Sequence, residues 1–209
     1  MKKNLVVFLT HKFNKVLLKN IENSGGCDVI VLFDKSADLN KNYNLLSSAD
    51  KKIVDSVDLV SGLRTNMKYD PKGGHSMYYH FFKGNYNYLN EYEYIWIFEN
   101  DVYFSGKINR IISAHNHMKH DVLVSEYGGR GPKWGWFPGA LYDEFKNQYD
   151  YTGVLACVCR FSTKYMQTFI ENMGKEFDGY LEIIIPLICK KYDLNIAQFI
   201  PNYIGKSYH

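Results

Sequence analysis

Two carboxylates follow an apolar run near the middle of the chain. The run 95–98 ends at Glu99, and Asp101 follows two residues later. Residues i and i+2 of a strand share a face, so both carboxylates would point the same way if the strand continues to Asp101. A divalent cation bound to a diphosphate needs only one or two protein carboxylates. The pair is therefore a candidate metal–diphosphate site, and the alternative is that Asp101 is simply a charge at a strand end.

The residues before the acidic pair have the composition of a central strand. Segment 92–98 is rich in Tyr, Ile, Trp and Phe, which favour pleated structure. Because residues 95–98 are all apolar, both faces of this strand should be covered, as at the centre of an α/β sheet. Open sheets of this class bind ligands in a crevice at the carboxyl ends of their strands. The acidic pair is therefore predicted to lie in that crevice.

The first third of the chain predicts a β-α-β unit. Residues 5–9 and 28–33 are apolar runs of strand length, and each ends in polar residues. Between them, residues 13–23 show the apolar spacing of a helix that ends before Gly25. Units of this kind build parallel sheets.

The rest of the chain continues the alternation of strands and helices. We predict further strands at 57–60, 92–101, 121–126, 151–161 and 196–200. We predict helices at 75–86, 107–120, 163–172 and 177–191, with a loop over 35–47, a short helix from residue 48 and a long Gly/Pro/aromatic loop at 128–139. Pro186 should kink or divide the last helix. The fold class is α/β: one domain over residues 1–209, with a central, mainly parallel mixed sheet flanked by helices.

Composition excludes some classes of function. The chain has 209 residues and a formal net charge of +3, without a dense Lys/Arg run, which argues against nucleic-acid binding. Its four cysteines fit no zinc-binding spacing and are expected to be free thiols in a reducing compartment. No apolar run approaches the length of a membrane span, and the apolar run at the N-terminus is too short for a signal peptide. We therefore expect a cytoplasmic protein without a membrane span.

The order of these elements and one segment resemble a known family. The first two strands end in Thr10-His11 and Asp34, and an acidic triplet, 99–101, follows an aliphatic–aromatic strand. This arrangement resembles the nucleotide-sugar glycosyltransferases of the GT-A class, and segment 96–106 is similar to glycosyltransferase-like proteins of viruses, algae and fungi. The resemblance implies a single GT-A-like (Rossmann-like) domain. It further implies a nucleotide-binding half over residues 1–101 and an acceptor-binding half over residues 102–209.

The resemblance also assigns roles in the nucleotide half. The triplet takes the place of the family's Asp-x-Asp element, so Asp101 would bind Mn²⁺ or Mg²⁺, with Glu99 nearby as a substrate contact. A C-terminal histidine, His209, would complete the metal shell. Contacts to the base, ribose and diphosphate would come from Thr10, His11, Asp34, Arg64, Lys68 and Gly74. Each also has an ordinary alternative as a strand end, a loop residue, a helix cap or a surface charge.

The acceptor half has candidates of two kinds. Arg130, Trp134 and Trp136 lie in the long loop, where indole rings can stack on sugars or simply anchor the loop. An inverting transfer needs a general base, and the candidate carboxylates are Glu126, Asp178 and Glu182. The resemblance favours Glu182, whereas Asp178 is a possible substrate contact or the N-cap of the last helix.

The function implied is that of a metal-dependent hexosyltransferase. It would transfer a sugar from a nucleoside diphosphate sugar, expected to be a UDP-sugar, to a hydroxyl of a glycan or glycoprotein. One alternative is a sugar nucleotidyltransferase, which would require a glycine-rich basic loop after the first strand, and residues 10–14 contain no glycine. The other alternative is a non-catalytic carbohydrate- or nucleotide-binding module on the same fold.

Overall fold

A seven-stranded sheet organises the chain in the computed structural model, which describes residues 2–34, 37–62, 74–129, 152–173, 177 and 181–203. The strands are β1 Lys2–Thr10, β2 Asp28–Asp34, β3 Asp58–Gly62, β4 Tyr92–Glu99, β5 Val122–Gly129, β6 Thr152–Ser162 and β7 Ile196–Gln198. Their order is β3-β2-β1-β4-β6-β5-β7. Only β6 runs against its neighbours β4 and β5 in this sheet, and the other pairings are parallel. The predicted α/β class with a mainly parallel mixed sheet is confirmed.

Helices connect and cover the strands. They are α1 Lys15–Asn23, α2 Leu39–Asn44, α3 Ser48–Val54, α4 Gly74–Gly84, α5 Tyr86–Leu89, α6 Ile108–His115, α7 Thr163–Asn172 and α8 Leu181–Lys191, with a 3₁₀ turn at Pro201–Tyr203. Each face of the sheet has its own apolar cluster. Buried side chains of α4, α7 and α8 cover one face, called here the α4 face, and those of α1 and α6 cover the other, the α1 face.

Strand β4 lies at the centre of both clusters. Ile95 and Ile97 point to the α4 face, whereas Trp96 and Phe98 point to the α1 face. Burying one such side chain contributes about 1.5–3 kcal/mol relative to leaving it in water. The indole N–H of Trp96 donates to Asn4 Oδ1 of β1 at 2.8 Å, so its burial leaves no orphan donor. The consecutive apolar residues thus form the two-sided central strand that the sequence predicts.

Several predicted boundaries move. The predicted loop over 35–47 contains helix α2, which the sequence analysis does not predict. None of the α2 residues is buried, so the sequence there has no apolar periodicity that would indicate a helix. The predicted helix 107–120 ends at His115, because Arg160 holds the following carbonyls. Helix α8 begins at Leu181 and continues through Pro186 without dividing.

Arg160 of β6 anchors the chain that follows α6. The buried guanidinium donates to the carbonyls of His115, Met118 and His120 at 2.7–3.1 Å and stacks on the Tyr94 ring at 3.9 Å. Burial lowers the pKa of Arg160 to about 10, so the side chain remains a cation near neutral pH. It serves the fold by holding three backbone carbonyls.

His115 joins α6 to the C-terminal segment. Its Nδ1 lies 2.7 Å from the Ile111 carbonyl, and its Nε2 accepts the Ile200 N–H at 2.9 Å. A carbonyl can only accept and an amide N–H can only donate, so the ring is neutral with its proton on Nδ1. The ring also packs edge-on against Phe199. Protonation of Nε2 would abolish the bond to Ile200.

The pKa of His115 is lowered in the fold. Burial is the main cause, the bond to the Ile111 carbonyl opposes it, and the charges of Arg160 and His117 lower it further. Because the unfolded chain then takes up a proton before the folded chain does, stability falls as the pH falls. The contribution of neutral His115 is complete above the ordinary pKa of 6.5 and is lost progressively below it.

Replacing His115 should therefore cost stability in a pH-dependent way. We expect His115→Phe to lower the free energy of unfolding by about 1–3 kcal/mol at pH 7.5, because the Ile200 N–H loses its acceptor. The deficit relative to the unmodified chain should shrink between pH 7 and 5. Urea unfolding over this pH range measures both effects, with the exposed His11→Gln as control. A deficit that does not change with pH would contradict the assignment.

Candidate functional site

Polar residues end three adjacent parallel strands at one edge of the sheet. Thr10, Asp34 and Glu99 are the last residues of β1, β2 and β4. Register brings them together, since Thr10 pairs with Phe33 and Leu9 pairs with Glu99. These three predicted site residues thus lie at the carboxyl edge, where open α/β sheets bind ligands.

The acidic triplet is a turn rather than the end of a strand. Strand β4 stops at Glu99, whose carbonyl accepts the N–H of Val102 at 3.2 Å. The prediction of a strand to residue 101 is therefore wrong, and so is its corollary that Glu99 and Asp101 share a strand face. The turn ends the regular alternation of side chains before it reaches Asp101. Asp101 is exposed at its tip, whereas Glu99 is half-buried.

Two asparagines of the α1 region hold this turn. Asn14 caps α1 by accepting the Leu17 N–H, and its amide contacts the Asn100 carbonyl at 3.5 Å. Buried Asn20 donates to the Val102 carbonyl at 2.6 Å. The carbonyls on either side of Asp101 are thus tied to α1. The sequence did not identify these asparagines, because one looks like an ordinary cap and the other like a surface helix residue.

The predicted nucleotide contacts fall in different environments. The Thr10 hydroxyl is buried and closes its own turn, donating to the Lys12 carbonyl at 2.6 Å and accepting the Lys12 N–H at 3.2 Å. His11 is exposed directly after β1. Asp34 is buried at the end of β2, and Gly74 opens α4. The hydroxyl of Thr10 is thus engaged in shaping the loop that presents His11.

A second carboxylate, Glu182, belongs to a helix that covers the α4 face. Glu99 follows Ile97 by two residues and so points to the α4 face, towards Cys159 of β6. Glu182 lies in the first turn of α8, on the same face. Burial chiefly raises the pKa of the Cys159 thiol, and Cys157, Glu99 and Glu182 raise it further. Both carboxylates therefore act electrostatically on one buried group, although they are far apart in sequence.

The predicted general-base candidates differ in position. Glu182 is half-buried at the start of α8 and is followed by the buried run 183–189. Glu126 is exposed in the last part of β5. Asp178 lies outside the described residues. Of the two described candidates, Glu182 is the half-buried one.

Six other predicted site residues lie outside the described part of the chain. They are Arg64, Lys68, Arg130, Trp134, Trp136 and His209. Their roles remain predictions.

The carboxyl edge offers the donor atoms of a hard cation. Asp101 presents carboxylate oxygens, the ligands that Mg²⁺ and Mn²⁺ prefer. Within the described ranges, no group of three or more His, Cys, Asp or Glu side chains is placed to hold a metal by itself. One exposed carboxylate is sufficient when phosphate oxygens and water supply the other ligands. The donor set thus fits a metal that arrives with a diphosphate.

A cavity of about 520 Å³ lies elsewhere, at the amino edge of the sheet. Asp28 and Asp58, which begin β2 and β3, are among its lining residues. Strand β2 has 7 residues, and at about 3.3 Å per residue it separates this cavity from the carboxyl edge by roughly 20 Å. The cavity is therefore distinct from the acidic turn.

The chain was compared with protein families, curated proteins and solved structures. No family model and no curated protein matches the sequence. Among solved structures, the chain is similar to the 4-diphosphocytidyl-2C-methyl-D-erythritol synthase of Anaerococcus prevotii DSM 20548, with 9% identity and a TM-score of 0.49. The alignment covers 99% of this chain and 94% of the synthase. Similarity at this level is not evidence of a shared activity.

None of the helices in the described segments combines the length and the apolar character needed to cross a bilayer.

The clamp on the acidic turn can be tested through Asn20. We expect Asn20→Leu to lower the free energy of unfolding by about 1–3 kcal/mol, because the Val102 carbonyl loses its donor. The control is Asn42→Leu, since the amide of Asn42 donates to the Asp38 carbonyl at an exposed site. There we expect a change within about 0.5 kcal/mol. Urea unfolding compares the two variants, and equal losses would contradict a specific role for Asn20.

Proposed function

We propose that this protein is a metal-dependent glycosyltransferase. It would transfer a sugar from a nucleoside diphosphate sugar, with UDP-sugars as the first candidates, to a hydroxyl of a glycan or glycoprotein. The observation that supports this most directly is the arrangement at the carboxyl edge. The exposed Asp101 follows the half-buried Glu99 at the end of β4 by two residues, and Glu182 lies at the start of α8, which covers the face to which Glu99 points.

The donor would bind across the ends of β2, β1 and β4. Asp34 and His11 would face the nucleoside, and Asp101 would hold Mn²⁺ or Mg²⁺ against the diphosphate. When bound, such a metal neutralises charge on the departing diphosphate. The clamp of Asn14 and Asn20 keeps the turn that carries Asp101 in place. Preorganised groups of this kind stabilise a charge without reorganising during the reaction.

Glu182 would act as the general base. Its carboxylate takes the proton from the acceptor hydroxyl as the acceptor oxygen forms a bond to the anomeric carbon of the sugar. The bond between that carbon and the phosphate oxygen breaks, and the nucleoside diphosphate leaves with both electrons. The product has inverted configuration at the anomeric carbon. A retaining transfer would require no such base, so the configuration of the product tests this role.

The loop after β1 favours glycosyl transfer over nucleotidyl transfer. A nucleotidyltransferase needs glycines there so that backbone N–H groups can approach a triphosphate. Residues 11–14 contain no glycine, and the Asn14 side chain already occupies the Leu17 N–H at the start of α1. If the protein released pyrophosphate from UTP or CTP in the presence of a sugar phosphate, nucleotidyl transfer would replace glycosyl transfer as its function. The absence of any turnover, despite binding, would indicate a non-catalytic module.

Asp101 should be required for metal-dependent binding. We expect UDP-, GDP- or TDP-sugars to raise the melting temperature more strongly with Mn²⁺ than without it. Asp101→Asn should abolish the Mn²⁺-dependent part while changing the ligand-free stability by no more than about 0.5 kcal/mol. The control Asp58→Asn removes an exposed carboxylate at the opposite edge and should respond as the unmodified protein does. If no nucleotide sugar stabilises the protein, the proposed function is wrong; if Asp101→Asn responds normally, the metal lies elsewhere.

Glu182 should affect the rate rather than donor binding. We expect Glu182→Gln to lower kcat by about 10²–10⁴-fold, the usual contribution of a general base, while the donor Kd stays the same. Glu171→Gln, an exposed change on α7, should leave both constants unchanged. Initial rates and donor titrations measure the two quantities. A normal kcat together with retained configuration in the product would rule out this role.

A further inference from the structure

The cavity at the amino edge of the sheet has the size of a small-molecule site and side-chain charges of one sign. Its volume is about 520 Å³, within the range of roughly 300–1,000 Å³ that is usual for ligand pockets. The carboxylates of Asp28 and Asp58 line it, and among the described residues no lysine, arginine or histidine does. The charges that line the cavity therefore favour a cationic ligand.

Strand register places the two carboxylates on one side of the sheet. Asp58 pairs with Ile30, and Asp28 precedes Ile30 by two residues in β2. Paired residues of neighbouring strands share a face, and so do residues i and i+2 of one strand. Both side chains therefore leave the backbone towards the α4 face, where Ile30 lies. One strand spacing and two residues of rise separate their Cα atoms by roughly 8 Å, so one small molecule can contact both.

A buried tyrosine fixes the orientation of the Asp28 carboxylate. Tyr92 is fully buried, and its hydroxyl donates to Asp28 Oδ2 at 2.9 Å. The Tyr88 hydroxyl lies 2.9 Å from the Tyr92 hydroxyl. Because Tyr92 has a single hydroxyl proton and donates it to Asp28, Tyr88 is the donor between the two tyrosines. Tyr88 also lines the cavity, and its proton is directed away from a ligand, which leaves its oxygen as an acceptor.

The other polar side chains of the lining also direct their protons away from the cavity, within the described part of the chain. The Ser24 and Ser56 hydroxyls donate to carbonyls of α1 and α3 at 2.6 and 2.7 Å, and the Cys27 thiol donates to Asn109 Oδ1. Helices α1 and α3 both end beside the cavity, and the carboxyl end of a helix carries partial negative charge. These side chains and helix ends thus present acceptors and negative charge.

We propose that this cavity binds a small organic diamine, whose ammonium groups pair with Asp28 and Asp58. An ammonium group carries a positive charge and three N–H donors and has no acceptor, which complements such a lining. An aromatic ring such as that of Tyr88 also attracts ammonium groups. A metal ion fits less well, because no group of three or more His, Cys, Asp or Glu side chains in the described ranges is placed to hold one. The site is independent of the proposed function, since the acidic turn lies at the opposite edge of the sheet.

The first test compares a diamine with a matched monoamine on the full chain. We expect calorimetry at low ionic strength to show binding of putrescine. The monoamine n-butylamine has the same carbon chain but one ammonium group, and it should bind about fivefold more weakly, the most that one exposed ion pair usually contributes. MgCl₂ controls for a general attraction of cations. The proposal is wrong if putrescine does not bind, or if n-butylamine or Mg²⁺ binds as tightly as putrescine.

The second test locates the binding. Asp28→Asn and Asp58→Asn should each weaken putrescine binding by about fivefold. Asparagine keeps an acceptor for the Tyr92 hydroxyl, so Asp28→Asn should fold, and the exposed Asp58→Asn tests the site without touching that bond. The control Glu91→Gln removes an exposed carboxylate just before β4, at the same edge but outside the lining, and should bind putrescine normally.

The three variants give distinct outcomes, with ligand-free melting curves to show that each is folded. If all three bind putrescine as the unmodified protein does, the amine binds elsewhere. If Glu91→Gln loses as much affinity as Asp28→Asn and Asp58→Asn, net charge rather than the cavity attracts the ligand. Either result overturns the proposal, whereas a loss confined to the two aspartate variants supports it.

Discussion

The two-sided burial of β4 is the constraint on which the candidate site depends. Side chains of residues 94–98 are buried, alternately against α4, α7 and α8 and against α1 and α6. An unpaired carboxylate within such a layer would cost several kcal/mol. The charges of the segment are therefore confined to its end, where the sheet meets solvent. The acidic turn lies at the carboxyl edge because the strand before it has no polar face.

Strand direction then determines what surrounds the turn. The parallel strands β1 and β2 end beside β4 and bring Thr10 and Asp34 to the same edge. Strand β6 runs antiparallel to β4, so the middle of β6, and not its end, lies beside the end of β4. Phe98, the residue before Glu99, pairs with Val158 near the middle of β6. Helix α8 packs on β6 and carries Glu182 on the α4 face of the sheet. The proposed nucleotide half thus contains strands β1 to β4, and the proposed acceptor half contains strands β5 to β7.

Buried polar groups in this protein divide into two kinds. His115 and Arg160 bond to backbone atoms and tie the chain after α6 to the sheet. Asn20 does the same for the acidic turn. Tyr78 has the burial of this group but no bond of this kind among the described residues. The bonds of His115, Arg160 and Asn20 to backbone atoms identify these three side chains as residues that serve the fold.

The sequence by itself determined the α/β class and the edge of the sheet at which the candidate site lies. Consecutive apolar residues predict the buried strands, their periodicity predicts most helices, and the polar residues after each strand mark the carboxyl edge. Only the tertiary structure decided that β4 ends at Glu99, that the Thr10 hydroxyl is used by its own turn, and that the helix carrying Glu182 covers the face to which Glu99 points. Local patterns specify which face a side chain takes along its own element. The placement of residues 99 and 182 on one side of the sheet depends on strand order, strand direction and helix packing, which no local pattern contains.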